Sequence, residues 1–346
     1  MTTKETYMAA LCHALGFSDE GVTLTPEVIT LAAVHGTQAL ITKDKALLFA
    51  NAQRQEVMHS LMQRAIEALK QADIQPVVIK GFNLAQLYPE PYLREWGDID
   101  IYVGKDSYHA GAKALRDAFP EAALFDEEKD YYKHYNLTFY QPIQTAIEMH
   151  RVAFGCPHPR DARLFEQLEK EGLVNGTVEW RFNVLFTFCH SWEHWIHNSA
   201  IMRQLCDIAL LLTQGKPDTV SYEQLSSYLS ANLKKLHLLQ AWQLYAYILV
   251  NELAVPAAQC PLYTERVAKR ANALLNALLY GRKSIKLTQQ APKNIILRKA
   301  HTFFTRVREA QAIGVYEPHY ARHMVIANIA QSWQRFLRGE NTRKWE

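Results

Sequence analysis

The stretch WGDIDIYVG, Trp96 to Gly104, sets two aspartates, Asp98 and Asp100, into an otherwise apolar, strand-like run. Side chains alternate faces along a strand, so Asp98, Asp100 and Tyr102 share one face and Ile99, Ile101 and Val103 the other. At a rise of about 3.3 Å per residue the two carboxylates lie roughly 6 to 7 Å apart. Like charges that close repel unless something positive lies between them. A divalent cation supplies that charge, and Mg²⁺ favours carboxylate oxygens. A third acid stands in TAIEMHRV, where Glu148 and His150 share the face opposite Thr145, Ile147 and Met149. If this strand neighbours the aspartate strand, Asp98, Asp100 and Glu148 can together hold the two metals, about 3.5 to 4 Å apart, of phosphoryl-type transfer.

A phosphate grip is legible just upstream. VVIKGFN reads as strand, Gly81, then helix start. Gly81 lets the backbone approach a ligand closely, and the free N–H groups near Phe82 and Asn83 suit a triphosphate. Lys80 and Arg94 are the cations available to neutralise it. Each feature alone is commonplace, since a D-x-D is often a solvated strand and a Lys-Gly often a turn. Their order, with a later acidic strand residue, is the specific signal.

The elements that must position these residues follow from periodicity. TPEVITLAAVHGTQALI and NAQRQEVMHSLMQRAIEALKQ carry apolar residues at spacings of three and four and predict helices, with breaks at Gly36 and TKDK. IQPVVIKG and DIDIYVG predict strands around a short helix, FNLAQLY, which Pro89 and Pro91 end. Asp106 is placed to cap the helix SYHAGAKALRDAF. YYKHYNLTFY and TAIEMHRVAF, joined by QPIQ, predict a β-hairpin, and from about Leu164 the pattern reads as helical to the end. The expected fold is α+β: a helical region over 1–73, a small mixed-sheet core over 74–160 and a helical domain over 161–346.

Composition bounds the rest. The 346 residues are 49% hydrophobic with a formal net charge of +3, too small to argue for nucleic acid or an anionic membrane. The five cysteines form no C-x-x-C, which disfavours a disulfide framework or a thiolate zinc site and suggests a reducing, cytoplasmic compartment. The N-terminus lacks the apolar core of a signal peptide, and no run approaches the ~18 apolar residues of a membrane span, so no membrane association is expected.

VVIKGFNLAQLYPEPYLREWGDIDIYV resembles the signature of an uncharacterised bacterial nucleotidyltransferase-like family of the DNA polymerase β-type superfamily. Lys-Gly, a short helix, Tyr-Pro, Arg and D-I-D recur there in this order. LAAVHGTQALI is similar to the family's leading helix. TAIEMHRV is similar to its E-L-H-W strand, with Met149 for the usual Leu and Arg151 for the usual Trp. HSWEHWIHNSAIMRQLCDIALLL resembles its downstream histidine helix, which ends in Arg-x-x-x-Asp, here Arg203 and Asp207. The likeness spans roughly residues 25 to 215. Classical superfamily members carry Gly-Ser where this chain has Lys80-Gly81, a pair more similar to AbiEii-type toxin nucleotidyltransferases. The resemblance implies transfer of a nucleoside monophosphate from an NTP such as ATP to an acceptor hydroxyl, with Mg²⁺ (or Mn²⁺) on Asp98, Asp100 and Glu148. Glu148 can act as metal ligand, general base or both. The acceptor is left open: a small molecule, a protein or an RNA.

Other constellations compete. His190, Glu193 and His194 spell H-x-x-E-H, which on a helix can hold zinc with Glu193 as base, as in a hydrolase. They can equally be core-edge residues or reach the nucleotide. Arg203 and Asp207, four apart, can form an intrahelical pair or support the site. His134 and His150 are second-tier candidates, with His150 favoured because it shares a face with Glu148. Arg282, Lys283, Lys286, Lys293, Arg298, Lys299, Arg306 and Arg308 are set against only Glu309, so this 282–308 segment can contact RNA phosphates or be a solvated helix face. A non-catalytic, antitoxin-like nucleotide-binding partner protein is the remaining alternative.

Overall fold

The computed structural model describes residues 1–124, 134–156, 159–197, 199, 201–281 and 295–337. The chain opens with α1 (Thr3–Ala14), α2 (Pro26–Val34), α3 (Gln38–Thr42) and the long α4 (Lys45–Gln71). Gly36 and the Lys43–Asp44 pair break these helices where the sequence placed breaks. Asp44 caps α4, its carboxylate accepting the N–H of Leu47 at 2.9 Å. Next come β1 (Val77–Val78), α5 (Gly81–Ala85), a 3₁₀ turn at Pro91–Leu93, β2 (Asp98–Tyr102) and α6 (Gly104–Ala118). Three strands and a helix follow: β3 (Ala123–Leu124), β4 (His134–Phe139), β5 (Thr145–His150) and α7 (Pro159–Gly172). After a ribbon of β6 (Leu173–Val174) and β7 (Thr177–Val178) the chain is helical: α8 (Trp180–Ile196), α9 (Met202–Thr213), α10 (Tyr222–Lys235), α11 (Leu239–Asn251), α12 (Ala268–Tyr280), α13 (Ile295–Gly314) and α14 (Pro318–Leu337). The fold is α+β, a small mixed sheet between helical flanks. Among the described residues no helix is long and apolar enough to cross a membrane.

The main sheet has five strands in the order β1-β2-β5-β4-β3. The expected hairpin is present as antiparallel β4 and β5, and β5 lies parallel to β2. Alternation divides the sheet into two faces. Ile99, Ile101, Leu137, Ile147 and Met149 are buried against Met58, Met62, Ala65 and Leu69 of α4 and Tyr108, Ala112 and Leu115 of α6. The α4 residues recur at the three-to-four spacing of one helix stripe, which fixes the helix across the sheet. The other face carries the acids. Beyond it lies a second apolar core built largely from α8 to α12, with Phe186, Phe188, Trp192, Trp195 and Trp242 fully buried.

Two local readings are corrected. Asp106 lies inside the first turn of α6 rather than capping it: Gly104, at φ +77°, turns the chain directly from β2 into the helix, and Val103 takes the cap position. The region after Leu164 is not helical throughout, because Asn175 and Gly176, at φ +53° and +75°, form a two-residue hairpin turn between β6 and β7. Of the basic segment, residues 282–294 lie outside the described residues and the remainder falls in α13.

Candidate active site

The parallel register of β2 and β5 sets Asp100 directly beside Glu148, and Asp98 beside Ala146. Asp98, Asp100 and Glu148 therefore share one face of two adjacent strands, whose axes stand about 4.8 Å apart. They form the floor of a cavity of about 440 Å³, within the usual range for small-molecule sites. Its remaining walls come from the α5–β2 connection and from α8 and α9, so residues far apart in sequence meet there.

The floor is electrostatically uneven. Asp100 is buried and held by two donors on one oxygen: Lys80 Nζ at 2.7 Å and His150 Nε2 at 2.8 Å, both to Oδ1. Burial acts to raise its pKa, but Lys80 and His150 outweigh that and hold it well below the ordinary carboxylate range. Glu148 also comes out lowered: burial and Asp100 push it up, while His150, 3.6 Å away, and His134, 3.8 Å away, pull it down. Asp98 goes the other way, to about 6. It is open to solvent yet crowded by the cavity walls, so lost hydration is the first cause and the charges of Glu148 and Asp100 the next. Its carboxylate makes no hydrogen bond or ion pair among the described residues, while its backbone pairs with β5. Ligand atoms of Asp100, Glu148 and His150 lie within 4.8 Å of one another, the one such group of potential metal ligands among the described residues. Three crowded carboxylates, one of them raised by lost hydration and by the charges of its neighbours, are a donor set that fits a hard divalent cation.

Lys80 reaches Asp100 from an uncommon backbone conformation, φ +56° and ψ −125°, which a non-glycine residue adopts only when its surroundings hold it there. Gly81 is needed for packing: a Cβ would stand 3.1 Å from the Trp96 ring and 3.5 Å from the Asp98 carbonyl. Asn83 turns away, its amide donating to the Val78 carbonyl, and is not part of the cavity lining. Backbone N–H groups at the start of so short a helix are what remain of that part of the predicted grip.

Arg94 does line the cavity, but its fork is engaged. Nε and Nη2 bind the two oxygens of Asp207 at 2.7 and 2.8 Å, and Nη1 donates to the Gly81 carbonyl at 3.2 Å. The Tyr88 hydroxyl adds a third bond to Asp207 at 2.9 Å. Burial works against the Arg94 charge, yet Asp207 more than compensates and raises its pKa. The intrahelical Arg203–Asp207 pair is thus replaced by a clamp between α9 and the segment before β2. Arg203 still lines the cavity, as do His134, His190, Glu193, His194 and His197. His150 lies fully buried behind Asp100.

On α8 the H-x-x-E-H residues share one cavity wall. His190 and His194 approach Nε2 to Nε2 at 3.1 Å, and His194 Nδ1 lies 3.0 Å from the Ser199 hydroxyl. They do not assemble with a third ligand into a close group among the described residues. Ser199 lines the cavity, Tyr88 binds Asp207 in its wall and Gly36 lies against the Arg203 guanidinium, and sequence reasoning assigns none of them to the site. Tyr88 stands inside the quoted signature, Gly36 signals only a helix break, and nothing in the sequence singles out Ser199.

A family model described as an uncharacterised nucleotidyltransferase matches residues 35–253, well over half of the chain. The protein therefore belongs to that family and is a nucleotidyltransferase-type enzyme. Comparison with curated proteins and with solved structures gives no match.

Proposed function

We propose that this nucleotidyltransferase transfers a nucleoside monophosphate from an NTP to an acceptor hydroxyl in a Mg²⁺-dependent reaction on the carboxylate floor. The observation that supports this most is the adjacency of Asp100 and Glu148 in parallel register, with Asp98 two residues away on the same face. Asp98, Asp100 and Glu148 would hold the metal, which when bound supplies charge neutralisation at the triphosphate and lowers the cost of ionising the acceptor. Lys80 and His150 orient Asp100 and keep it ionised. The acceptor oxygen forms a bond to the α-phosphorus, the bond from that phosphorus to the bridging oxygen breaks, and the electron pair leaves with pyrophosphate. The acceptor proton passes to the Glu148 carboxylate, the floor acid flanked by two histidines. The three carboxylates all fall within the proposed 74–160 core, whereas most of the opposing helical lining belongs to the proposed 161–346 region.

The test is incubation of the purified protein with Mg²⁺ or Mn²⁺ and each α-labelled NTP, with and without cell extract, beside an Asp98→Ala/Asp100→Ala variant shown by circular dichroism to be folded at the assay temperature. Label appearing on an acceptor only with the intact aspartates supports the reading. Absence of NTP binding and of transfer under all these conditions sinks it.

A further inference from the structure

The arginines of the cavity are unequally matched. Asp207 is saturated by Arg94 and Tyr88, and Lys80 is committed to Asp100 at 2.7 Å. Arg203 stands one helical turn before Asp207 on α9 and lines the same cavity. It makes no ion pair within 4.0 Å among the described residues, and its Nε is sealed from solvent without a hydrogen-bond partner. The groups around it do not neutralise it. Its own N–H reaches the His35 carbonyl at 3.4 Å, the Tyr88 hydroxyl reaches its carbonyl at 3.5 Å, and the charges of Asp207 and, less, Glu95 favour it only from beyond ion-pair distance. Burial first, and the repulsion of Arg94 second, lower its pKa, but a guanidinium stays charged in a protein.

The space around that side chain is also shaped. Gly36, at φ +62°, lies under the guanidinium, and a Cβ there would stand 3.0 Å from Nη1 and 3.5 Å from Cζ. The chain thus keeps a cation at the cavity, clears room for it with a glycine and, among the described residues, sets no carboxylate within ion-pair distance of it. A buried charge without a partner is costly, and a planar five-donor fork matches a phosphate group.

We propose that Arg203 is the polyphosphate-binding residue of this cavity, taking the terminal phosphates of the NTP and then the pyrophosphate that leaves. The assignment rests on the nucleotidyl-transfer reading above. The leaving pyrophosphate gains negative charge as its bond to the α-phosphorus breaks, so Arg203 acts on kcat as well as KM. Arg94 cannot substitute, because its fork is filled by Asp207 and Gly81.

Inorganic tripolyphosphate, titrated in metal-free buffer against wild type, Arg203→Gln and Arg203→Lys, tests this. Wild type is expected to bind it, Arg203→Gln at least about tenfold more weakly, and Arg203→Lys in between, having the charge without the fork. The ligand-free thermal midpoint of Arg203→Gln is expected to equal or exceed that of wild type, since an unpaired charge has been removed. Equal binding by Arg203→Gln, absence of binding by wild type, or a midpoint that falls as it would for a structural ion-pair partner overturns the assignment. The labelled-NTP experiment separates the two ideas: transfer that depends on the aspartates, with tripolyphosphate binding indifferent to Arg203, removes this assignment alone.

Discussion

On the floor of the cavity Lys80 and the neighbouring histidines serve Asp100 and Glu148 but not Asp98, whereas on its arginine wall the carboxylate of Asp207 serves Arg94 but not Arg203. Each region contains one closed interaction and one surplus. Lys80–Asp100 and Arg94–Asp207 are satisfied pairs at 2.7 Å. The crowded Asp98 and the unmatched Arg203 are left over, with opposite signs. The closed pairs shape the cavity; the surpluses mark where a ligand carrying both a cation and phosphates gains most. Substitutions at the closed pairs should therefore register first in stability, and substitutions at the surpluses in binding and rate.

The largest expected effect is on the floor. Asp98→Asn should lower nucleotidyl transfer by at least about 10²–10³-fold, the scale of several kcal/mol of charge stabilisation. It also removes a like-charge repulsion, so the thermal midpoint should stay level or rise. A variant that loses activity because it unfolds would place Asp98 among structural residues and break the contrast with Arg94.

Arg94→Met should act in the reverse sense. It strands the Asp207 carboxylate in a buried site, which costs about 3–5 kcal/mol and is readable as a fall in denaturation midpoint. Adding Asp207→Leu should recover much of that loss, because an apolar pair of similar size avoids the stranded charge. If the double variant is no more stable than the single, Arg94 and Asp207 are not a closed pair.

This contrast shows what the sequence can and cannot carry. The alternation that puts Asp98 with Asp100, and Glu148 with His150, is a local property with a period of two, and it was legible. That Asp100 stands beside Glu148 depends on β5 entering parallel to β2, a long-range event outside local pattern. Arg94 and Asp207 are 113 residues apart, and helix spacing pointed instead to Arg203 and Asp207, which four-residue periodicity always makes plausible. The Asn175–Gly176 turn, by contrast, was written in the sequence between β-branched residues and was overridden by the helical pattern on either side. Asp106 misled because a good capping residue two positions inside a helix looks the same as one at its start.

A third buried carboxylate sharpens the comparison. Glu169, on α7, has no lysine or arginine in hydrogen-bond reach among the described residues; its Oε1 accepts the N–H groups of Ala153 at 2.8 Å and Phe154 at 3.2 Å. Burial outweighs those bonds and raises its pKa from an ordinary 4.5 to about 7. Below about pH 4.5 both folded and unfolded chains hold the proton, so no penalty exists. Between 4.5 and 7 only the folded chain keeps it, and stability falls as pH rises, by on the order of 3 kcal/mol in all. Glu169→Gln, whose amide oxygen can accept the same N–H groups, should flatten the difference in unfolding free energy between pH 5 and pH 8. An unchanged difference would show that the backbone donors suffice to keep Glu169 ionised.

The smallest effect probes the wall at its glycine. Gly36→Ala places a non-glycine residue at φ +62°, which costs about 1 kcal/mol. The new Cβ meets Arg203 at Nη1, the far end of a flexible side chain, so the contact is relieved by moving the guanidinium rather than the backbone. The closed Arg94–Asp207 clamp does not touch Gly36 and should be unaffected. The expected result is therefore a slightly lower thermal midpoint with a several-fold change in tripolyphosphate affinity, and both should become independent of one another in the Arg203→Gln background. There the stability cost of the left-handed alanine should persist while its effect on phosphate binding disappears. If the binding effect persists without Arg203, Gly36 acts on the cavity through the backbone, and the space it leaves is not there for the guanidinium.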